Sequence, residues 1–124
     1  MQSFVQEESS HGVRVFWLEQ ERLIEELKKK AMEVGKRDAN VQKILLFGSI
    51  AEGRGVPGSD ADLLIILHAD SRKFPDRIPE WQEKMYIGFP MDVFPYTEEE
   101  TKNPIVKEAL IRGILLYSKQ DHVS

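Results

Sequence analysis

The clearest pattern of apolar and polar positions in the chain is a helical one that begins near Val15. Apolar residues recur on one face of this pattern at Phe16, Leu23, Leu27, Ala31 and Val34. Such spacing, with glutamate and lysine on the opposite face, is typical of an amphipathic helix packed against a core. Gly35 is expected to end the helix, and the charged residues are expected to form its solvated face.

Short apolar runs elsewhere predict four β-strands, at residues 41–47 (VQKILLF), 62–67 (DLLIIL), 89–96 (FPMDVFPY) and 114–117 (ILLY). The second run lacks the alternation of a half-buried strand, which predicts a strand covered on both faces. In the third run Met91 and Val93 flank Asp92, so a carboxylate interrupts an otherwise apolar strand.

A short helical segment is predicted over residues 79–86, after a stretch that Pro75 and Pro79 interrupt. Trp81 and Met85 are four residues apart and therefore share a face, which we expect to contact the core. The segment thus places two large apolar side chains between the second and third strands.

A final helix is predicted to begin at Asn103-Pro104, because asparagine is a favoured N-cap and proline a favoured first helical residue. Gly113 is expected to end it. Its apolar face comprises Ile105, Val106, Ala109 and Leu110. Helices that alternate with short strands predict an α/β or α+β domain, with a small mixed sheet packed against helices.

Length and composition set the limits of this domain. The chain has 124 residues, of which 41% are hydrophobic, and a formal net charge of −4. We expect a loose N-terminal tail at residues 1–12, one domain at residues 13–118 and a C-terminal tail at residues 119–124. No apolar run reaches eighteen residues, so no membrane span is expected.

Charge and cysteine usage narrow the candidate partners and sites. The chain has no cysteine, which excludes disulfides and thiolate zinc sites and fits a cytoplasmic location. The acidic balance does not attract polyanions, so nucleic acid is not an expected partner. A phosphate group would have to be bound locally, by backbone amides, a few basic residues or metal ions.

A glycine-rich loop joins the first two predicted strands in the stretch FGSIAEGRGVPGSDADLLIIL, residues 47–67. It is far longer than a hairpin connection of two to five residues. Its GxGxxG pattern contains Pro57 and precedes a strand, unlike a dinucleotide fingerprint, which opens a helix. The P-loop pattern fails because Arg54-Gly55 stands where Lys-Ser/Thr is required, and an EF-hand fails because Ile65 replaces its glycine.

Three aspartates are the candidate chemical groups. Asp60 and Asp62 are two residues apart at the start of a strand and therefore project from the same face. Adjacent carboxylates repel each other unless a cation lies between them, and Mg²⁺ prefers such oxygen ligands. If the second and third strands are neighbours, Asp92 reaches the same place, and three carboxylates can hold two metal ions. The alternative is that the three aspartates have structural roles only: Asp60 caps a turn, Asp62 begins a strand and Asp92 faces water on an edge strand.

Gly48 and Ser49 come directly after the first strand. A glycine there allows the backbone to approach a phosphate, and a serine hydroxyl with the amides of a following helical turn can bind it. Ser49 is a favourable N-cap for a turn over residues 49–52. The alternative is an ordinary connection between a strand and a helix.

The stretch GSIAEGRGVPGSDADLLI resembles the signature GSxAxGxxxxxSDxDLxV of the polymerase β-type nucleotidyltransferase superfamily. Over residues 15–117 the chain is similar in particular to the minimal nucleotidyltransferases (MNT). The resemblance implies the polymerase β-type nucleotidyltransferase fold. It also implies that Gly48 and Ser49 hold a nucleotide triphosphate and that Asp60 and Asp62 bind two Mg²⁺ ions. Asp92 would bind the metal that activates the acceptor hydroxyl and would accept its proton.

The family resemblance further implies in-line attack on the α-phosphate of ATP, with transfer of AMP and release of pyrophosphate. The acceptor would be supplied by another molecule, a HEPN-domain toxin modified on a tyrosine, and the chain would be the antitoxin. One departure is Glu52, which stands where many relatives carry arginine; Arg54 is then the candidate basic contact to a phosphate. A non-catalytic antitoxin or partner subunit that retains the nucleotide site is the alternative function.

Overall fold

A computed structural model describes residues 3–119, apart from the side chains of Ser10, Val13 and Val15. The elements in chain order are β1 (Val5–Ser10), β2 (Val13–Leu18), α1 (Gln20–Arg37), β3 (Val41–Phe47), α2 (Gly48–Ala51), β4 (Ala61–Leu67), α3 (Phe74–Met85), β5 (Met91–Thr97), α4 (Pro104–Arg112) and β6 (Ile114–Ser118). A single 3₁₀ turn at Glu98–Glu100 follows β5. Among the helices of residues 3–119, none has the length and hydrophobicity that crossing a bilayer requires.

Four strands form one mixed sheet in the order β5-β4-β3-β6, and β1 pairs with β2 in a separate hairpin. Strand β3 runs antiparallel to β4 and β6, whereas β4 and β5 are parallel. In β4 every residue except Asp62 is buried, as the unalternating run DLLIIL predicts. The expectation of a small mixed sheet packed against helices is confirmed.

The sheet has an apolar cluster on each face. Helices α1 and α3 cover one face, where Leu23, Leu27, Trp81 and Met85 meet Leu63 and Ile65 of β4. Helix α4 covers the other face with Val106 and Ala109, which pack against Leu64 and Ile66. Each fully buried side chain of this size contributes about 1.5–3 kcal/mol, so β4 is held from both sides.

Residues 3–12 differ from the expectation of a loose tail over residues 1–12, whereas residues 120–124 of the expected C-terminal tail lie outside the described residues. Strand β1 pairs with β2 through a two-residue turn in which His11 (φ 52°) and Gly12 (φ 79°) both have positive φ. Such a turn matches the twist of a hairpin. Phe4, just before β1, is buried in the core. The apolar pattern of β1 is too weak to reveal this strand from the sequence.

Helix α1 starts later and ends later than predicted. Its Leu23, Leu27, Ala31 and Val34 are buried, as expected. Phe16 instead lies in β2 and is 51% exposed, because β-branched and aromatic neighbours favour a strand there. Gly35 does not end the helix, which continues to Arg37. The glycine is buried against the ring of Tyr117, whose hydroxyl donates a hydrogen bond of 3.2 Å to the Gly35 carbonyl oxygen.

Gly35→Ala is expected to lower the free energy of unfolding by about 1–2 kcal/mol. Alanine normally stabilises a helix relative to glycine, but its methyl group would overlap the Tyr117 ring, and overpacking of a core costs about 1–3 kcal/mol. Urea unfolding measures the difference. In a Tyr117→Leu background the same substitution should cost less, and an equal cost in both backgrounds would contradict the steric explanation.

Helix α3 begins at Phe74, earlier than the predicted residues 79–86. Pro75 lies in the first turn, where its missing N–H would have no helical partner. Pro79 lies inside the helix, whereas Trp81 and Met85 face the core as predicted. Arg77 is also buried, and its guanidinium donates to the Pro95 carbonyl oxygen at 3.0 Å and to Glu100 Oε1 at 2.6 Å. Helix α3 is therefore fixed to the end of β5 by a buried charge.

Asp70 precedes α3 and has a strongly lowered pKa. Hydrogen bonds from the Arg72 side chain are the largest favourable cause, and the resulting pKa is about 2. A carboxyl group with a lowered pKa stabilises the fold above its unfolded pKa of 3.8, and this contribution disappears as the pH falls to about 2. Asp70→Asn should therefore cost about 1–2 kcal/mol at pH 7.

This difference between wild type and Asp70→Asn is expected to shrink between pH 4 and pH 2. Unfolding in urea at pH 6, 4 and 2.5 measures it, with Asp76→Asn, an exposed carboxylate of α3, as the control. A difference that is the same at all three pH values would show that the ion pair with Arg72 contributes nothing to stability.

Candidate functional site

The predicted site residues come together at one end of the sheet, where β3 ends and β4 and β5 begin. Asp62 in β4 is paired with Phe47, the last residue of β3, and with Asp92 of β5. Gly48 and Ser49 directly follow Phe47. The neighbouring strands β3, β4 and β5 thus place Gly48-Ser49, Asp62 and Asp92 in a row, as expected if the second and third predicted strands are adjacent.

Asp62 and Asp92 are matched residues of two parallel strands, so their side chains project from the same face. Asp62 is half-buried, whereas Asp60 and Asp92 are exposed. The pKa of Asp62 is raised, first by burial and then by the charges of Asp92 and Asp60. We call these three residues the carboxylate row.

The raised pKa means that the carboxylate row is unfavourable for folding. A carboxyl whose pKa rises on folding lowers stability once the pH exceeds its unfolded pKa of 3.8. A cation next to Asp62 would favour its ionised form and remove this cost.

Gly48 is in direct contact with Asp62. Its φ is +81°, and a Cβ built on it would overlap Asp62 Oδ2. Glycine is therefore required here for two reasons, the backbone conformation and the space that the carboxylate occupies. The sequence predicted a glycine that admits a phosphate; the structure adds that it admits a carboxylate.

Helix α2 begins at Gly48, one residue before the predicted turn. Phe47, in extended conformation, is its N-cap, so the prediction of Ser49 as the N-cap is wrong. Ser49 lies in the first turn, and its carbonyl oxygen accepts a hydrogen bond of 2.8 Å from the Arg54 N–H. This bond ties Arg54 of the glycine-rich loop to the first turn of α2.

Arg54 is exposed and pairs with Glu52, with 3.3 Å between Nη2 and Oε2. The side chain of Arg54 is 64% exposed, so this pair is a weak surface interaction. Arg54 therefore lies in the loop near Ser49, and its guanidinium contacts Glu52, the residue that departs from the family pattern. Its role as a phosphate contact stays a prediction.

The carboxylate row fits a hard divalent cation by its chemistry. It consists of oxygen donors alone, and its half-buried member carries a raised pKa that a cation would relieve. Within residues 3–119, no three Asp, Glu or His side chains are already gathered around one point as a complete set of metal ligands. Metal binding by Asp60, Asp62 and Asp92 therefore stays a prediction.

The surface depressions of the structure were not anticipated from the sequence. A groove of about 630 Å³ lies between α1 and α3, is lined largely by charged residues and includes none of the predicted site residues. A second cleft of about 390 Å³ has Asp60 in its wall together with Gln82 and Tyr86. The one sequence signal for it was Tyr86, an aromatic residue just after a helix.

His68 is not part of the site. It follows β4 at the strand end opposite to Asp62 and contacts Glu98 through Nδ1 at 2.5 Å. Trp81 is 2% exposed and belongs to the core, whereas Trp17 is 43% exposed on the hairpin. Neither tryptophan lies in the carboxylate row.

A comparison of the sequence with protein-family models gives a match, and it covers the residues described above. A family model described as "Polymerase beta, Nucleotidyltransferase" matches residues 25–122, which include the whole row and the glycine-rich loop. No curated protein shows significant similarity to the chain.

Several solved structures share the fold. A Sulfolobus solfataricus protein, provisionally described as a nucleotidyltransferase, superposes with a TM-score of 0.61 at 23% identity, covering 82% of this chain and 85% of that one. A toxin–antitoxin structure with AMP-PNP has a TM-score of 0.52 at 18% identity, with 76% of each chain covered. A toxin–antitoxin MntA-HpeT variant with two Asp-to-Glu substitutions gives 0.51 at 16% identity, again over 76% of each chain.

Proposed function

Because the chain belongs to the polymerase β nucleotidyltransferase family, we propose that it is a metal-dependent enzyme that transfers AMP from ATP to a hydroxyl group of a second protein. The observation that carries this proposal is the pairing of Asp62 with Asp92, with Gly48 packed on Asp62 Oδ2. ATP as the substrate would place the activity in the cytoplasm.

The roles proposed for these residues are those that the family resemblance implies. Asp60, Asp62 and Asp92 would hold two Mg²⁺ ions, and Gly48 and Ser49 would hold the triphosphate through backbone amides of the first turn of α2. Arg54 would leave Glu52 to contact a phosphate oxygen. When bound, the metal ions would neutralise charge on the phosphates and lower the pKa of the acceptor hydroxyl.

The proposed reaction is a single displacement at phosphorus. The acceptor oxygen forms a bond to the α-phosphorus of ATP, and the bond from that phosphorus to the oxygen bridging the β-phosphate breaks. Pyrophosphate leaves with the electron pair, and the acceptor proton passes to Asp92. The attacking and leaving oxygens lie in line, as in phosphoryl transfer generally.

We further propose that the acceptor is a toxin protein of the HEPN class, modified on a tyrosine, and that this chain is its antitoxin. Support comes from the shared fold with structures described as toxin–antitoxin assemblies, one of them with AMP-PNP. At 16–18% identity this similarity shows the fold, so the partner is part of the proposal.

The test is label transfer from ATP in a lysate of the source organism, with Mg²⁺ and with parallel α- and γ-labelled ATP. We expect a protein band with the α label alone, absent with Asp60→Asn/Asp62→Asn and retained with the exposed control Asp76→Asn. Mass spectrometry of the band identifies the acceptor and the modified residue.

A band with the γ label would indicate a kinase and overturn the proposal. If no band appears while the protein still neutralises a co-expressed toxin, and Asp62→Asn neutralises equally, the chain acts by binding alone.

A further inference from the structure

The sheet has two edge strands, and the two differ in how they are protected from further pairing. In the order β5-β4-β3-β6, strands β5 and β6 each have one strand neighbour within residues 3–119. Strand β5 carries Asp92 and Pro95, and charges and proline are common devices that discourage the addition of another strand. Strand β6 (ILLYS) carries neither a charged residue nor a proline. The outer edge of β6 is therefore able to accept another strand.

Exposed apolar side chains lie next to this edge. Leu115 of β6 pairs with Leu45, which belongs to the apolar cluster under α4, so Leu115 projects from the face that α4 covers. Leu115 is nevertheless 46% exposed, and Leu110 and Ile111 in the last turn of α4 are 47% and 81% exposed. Groups of exposed apolar side chains mark interaction sites. We call these three side chains, together with the outer edge of β6, the α4–β6 surface.

The charges around the α4–β6 surface are mainly basic, although the whole chain has a net charge of −4. The segment 101–119 contains one acidic residue, Glu108, against the basic residues Lys102, Lys107, Arg112 and Lys119. Among the described residues, neither Lys107 nor Arg112 forms an ion pair with a carboxylate. Their charges are thus available to a partner. An acidic partner would be attracted to this surface and repelled by the acidic remainder of the chain.

Two of these cations lie at the ends of β6. Arg112 lies two residues before the strand, and Lys119 directly follows it. The Lys119 ammonium donates to the Ala39 carbonyl oxygen at 2.9 Å, which holds the charge close to the end of the strand. A second copy of the chain is an unfavourable occupant, because antiparallel pairing of β6 with itself brings Arg112 of one copy towards Lys119 of the other. Like charges on paired strands are destabilising.

The α4–β6 surface lies on the same face of the sheet as the carboxylate row. Asp62 is two residues from Leu64, which packs under α4, so both project from that face. Strand β6 begins at Ile114, which pairs with Leu46 next to the end of β3. Strand β3 alone separates β6 from β4, so these two strands lie about 10 Å apart. A partner bound to β6 is therefore close to the proposed reaction centre.

We propose that the α4–β6 surface binds an extended segment of a partner protein, which adds to β6 as a fifth strand. The segment has apolar residues at its centre and carboxylates at both ends. Hydrogen bonds between the main chains supply affinity, and the apolar side chains cover Leu110, Ile111 and Leu115. The carboxylates pair with Arg112 and Lys119. Nucleic acid fits less well, because the exposed side chains of this surface are aliphatic and give bases no ring to stack on.

The test is a binding measurement on the full chain that needs no catalysis. The probe is a synthetic peptide of alternating valine and threonine with two glutamates at each end, and the control peptide has lysines in place of the glutamates. Backbone amide shifts of the isotope-labelled protein are followed by NMR. We expect saturable shifts concentrated at residues 110–118 with the acidic peptide, and at least about tenfold weaker binding of the lysine peptide.

Variants of exposed residues separate the apolar and the charged contributions. Ile111→Glu and Arg112→Glu should each weaken binding of the acidic peptide at least about fivefold. Lys73→Glu, the same change of charge at an exposed residue before α3, should not. Arg112→Glu should also bind the lysine peptide more tightly than the wild type does, which loss of folding would not produce.

Equal binding of the two peptides, shifts located outside residues 110–118, or none up to the solubility limit of the peptide would overturn the inference. A wild-type dimer that becomes monomeric in Ile111→Glu, measured by light scattering, would assign the surface to a second copy and refute it. Binding of transfer RNA that is lost in Arg112→Glu would assign the surface to nucleic acid and also refute it.

This inference goes beyond the proposed function, and the two can fail separately. Binding of the acidic peptide at β6 by a protein that transfers no label would refute the enzyme and support the docking surface. Label transfer to an acceptor by a protein that does not bind the acidic peptide would support the enzyme and refute the docking surface.

Discussion

Gly48→Ala is expected to reduce nucleotidyl transfer by at least about 100-fold. The new methyl group would overlap Asp62 Oδ2, so either the carboxylate or the start of α2 has to move. Displacing a catalytic group by about 1 Å can cost a factor of about 100 in rate. The positive φ of +81° adds backbone strain of about 1–3 kcal/mol for any residue with a side chain. The measurement is the initial rate of α-label transfer.

Gly53→Ala is the matched control for this substitution. Gly53 has a nearly equal φ of +77°, lies in the same loop region, and has nothing within 4 Å of an added Cβ. It therefore carries the backbone strain without the overlap. Gly53→Ala should retain most of the activity, and similar losses in the two variants would assign the effect of Gly48→Ala to backbone strain alone.

Asp92→Asn is expected to lower kcat by a factor of about 10³ or more, with little change in the affinity for ATP. The proposal gives Asp92 two tasks, metal binding and acceptance of the acceptor proton, and general base catalysis alone is worth about 10²–10⁴-fold. The side chain of Asp92 is exposed near the start of β5, so the substitution should not unfold the protein. Single-turnover transfer and ATP binding by calorimetry measure the two quantities.

The stability of the same variant gives an independent check on the carboxylate row. Removing the charge of Asp92 removes one cause of the raised pKa of Asp62, so Asp92→Asn should be slightly more stable than the wild type at pH 7 without metal. Asp76→Asn is the control for the loss of an unrelated exposed charge. An Asp92→Asn protein that retains more than about a tenth of the wild-type rate would exclude Asp92 as the base.

Much of the fold is predictable because burial leaves periodic traces in the sequence. The limits of β3 match the predicted residues 41–47, and β4 begins only one residue before its predicted start. The cap of α4 is confirmed in detail, since Asn103 Oδ1 accepts a hydrogen bond of 2.9 Å from the Ile105 N–H. In each case a local rule and the packing of the core favour the same structure.

The errors arise where a local rule competes with tertiary structure. Phe16 fits the helical period by chance, but the turn at His11-Gly12 places it in a hairpin. Pro79 suggests a break, yet the burial of Arg77, Trp81 and Met85 holds α3 together around it. Gly35 has the composition of a helix end, but its role is set by Tyr117, a residue 82 positions away.

In the candidate site, too, some features are predictable from the sequence and others depend on tertiary contacts. From the sequence, Asp92 reaches Asp62 only if their two strands are neighbours, and the structure meets that condition by pairing these two residues. The sequence could not reveal that Gly48 touches Asp62 or that Glu52 contacts Arg54, since both contacts depend on the path of the loop. The cleft of about 390 Å³ beside Asp60 is likewise invisible in the sequence, because its walls come from α3, the connection from α3 to β5 and the residue just before β4.

The place of β6 in the sheet has a consequence for synthesis on the ribosome. Strands β3, β4 and β5 are consecutive in the chain. The end of the sheet that carries the carboxylate row can therefore assemble as soon as Thr97 has emerged from the ribosome. Strand β6 pairs with β3 and brings Tyr117 onto Gly35 only after residues 114–118 are made. Until then, the backbone of β3 presents an open edge to other nascent chains. Strand β6, the last strand among residues 3–119, therefore covers the open edge of β3 in a sheet whose carboxylate row is already in place.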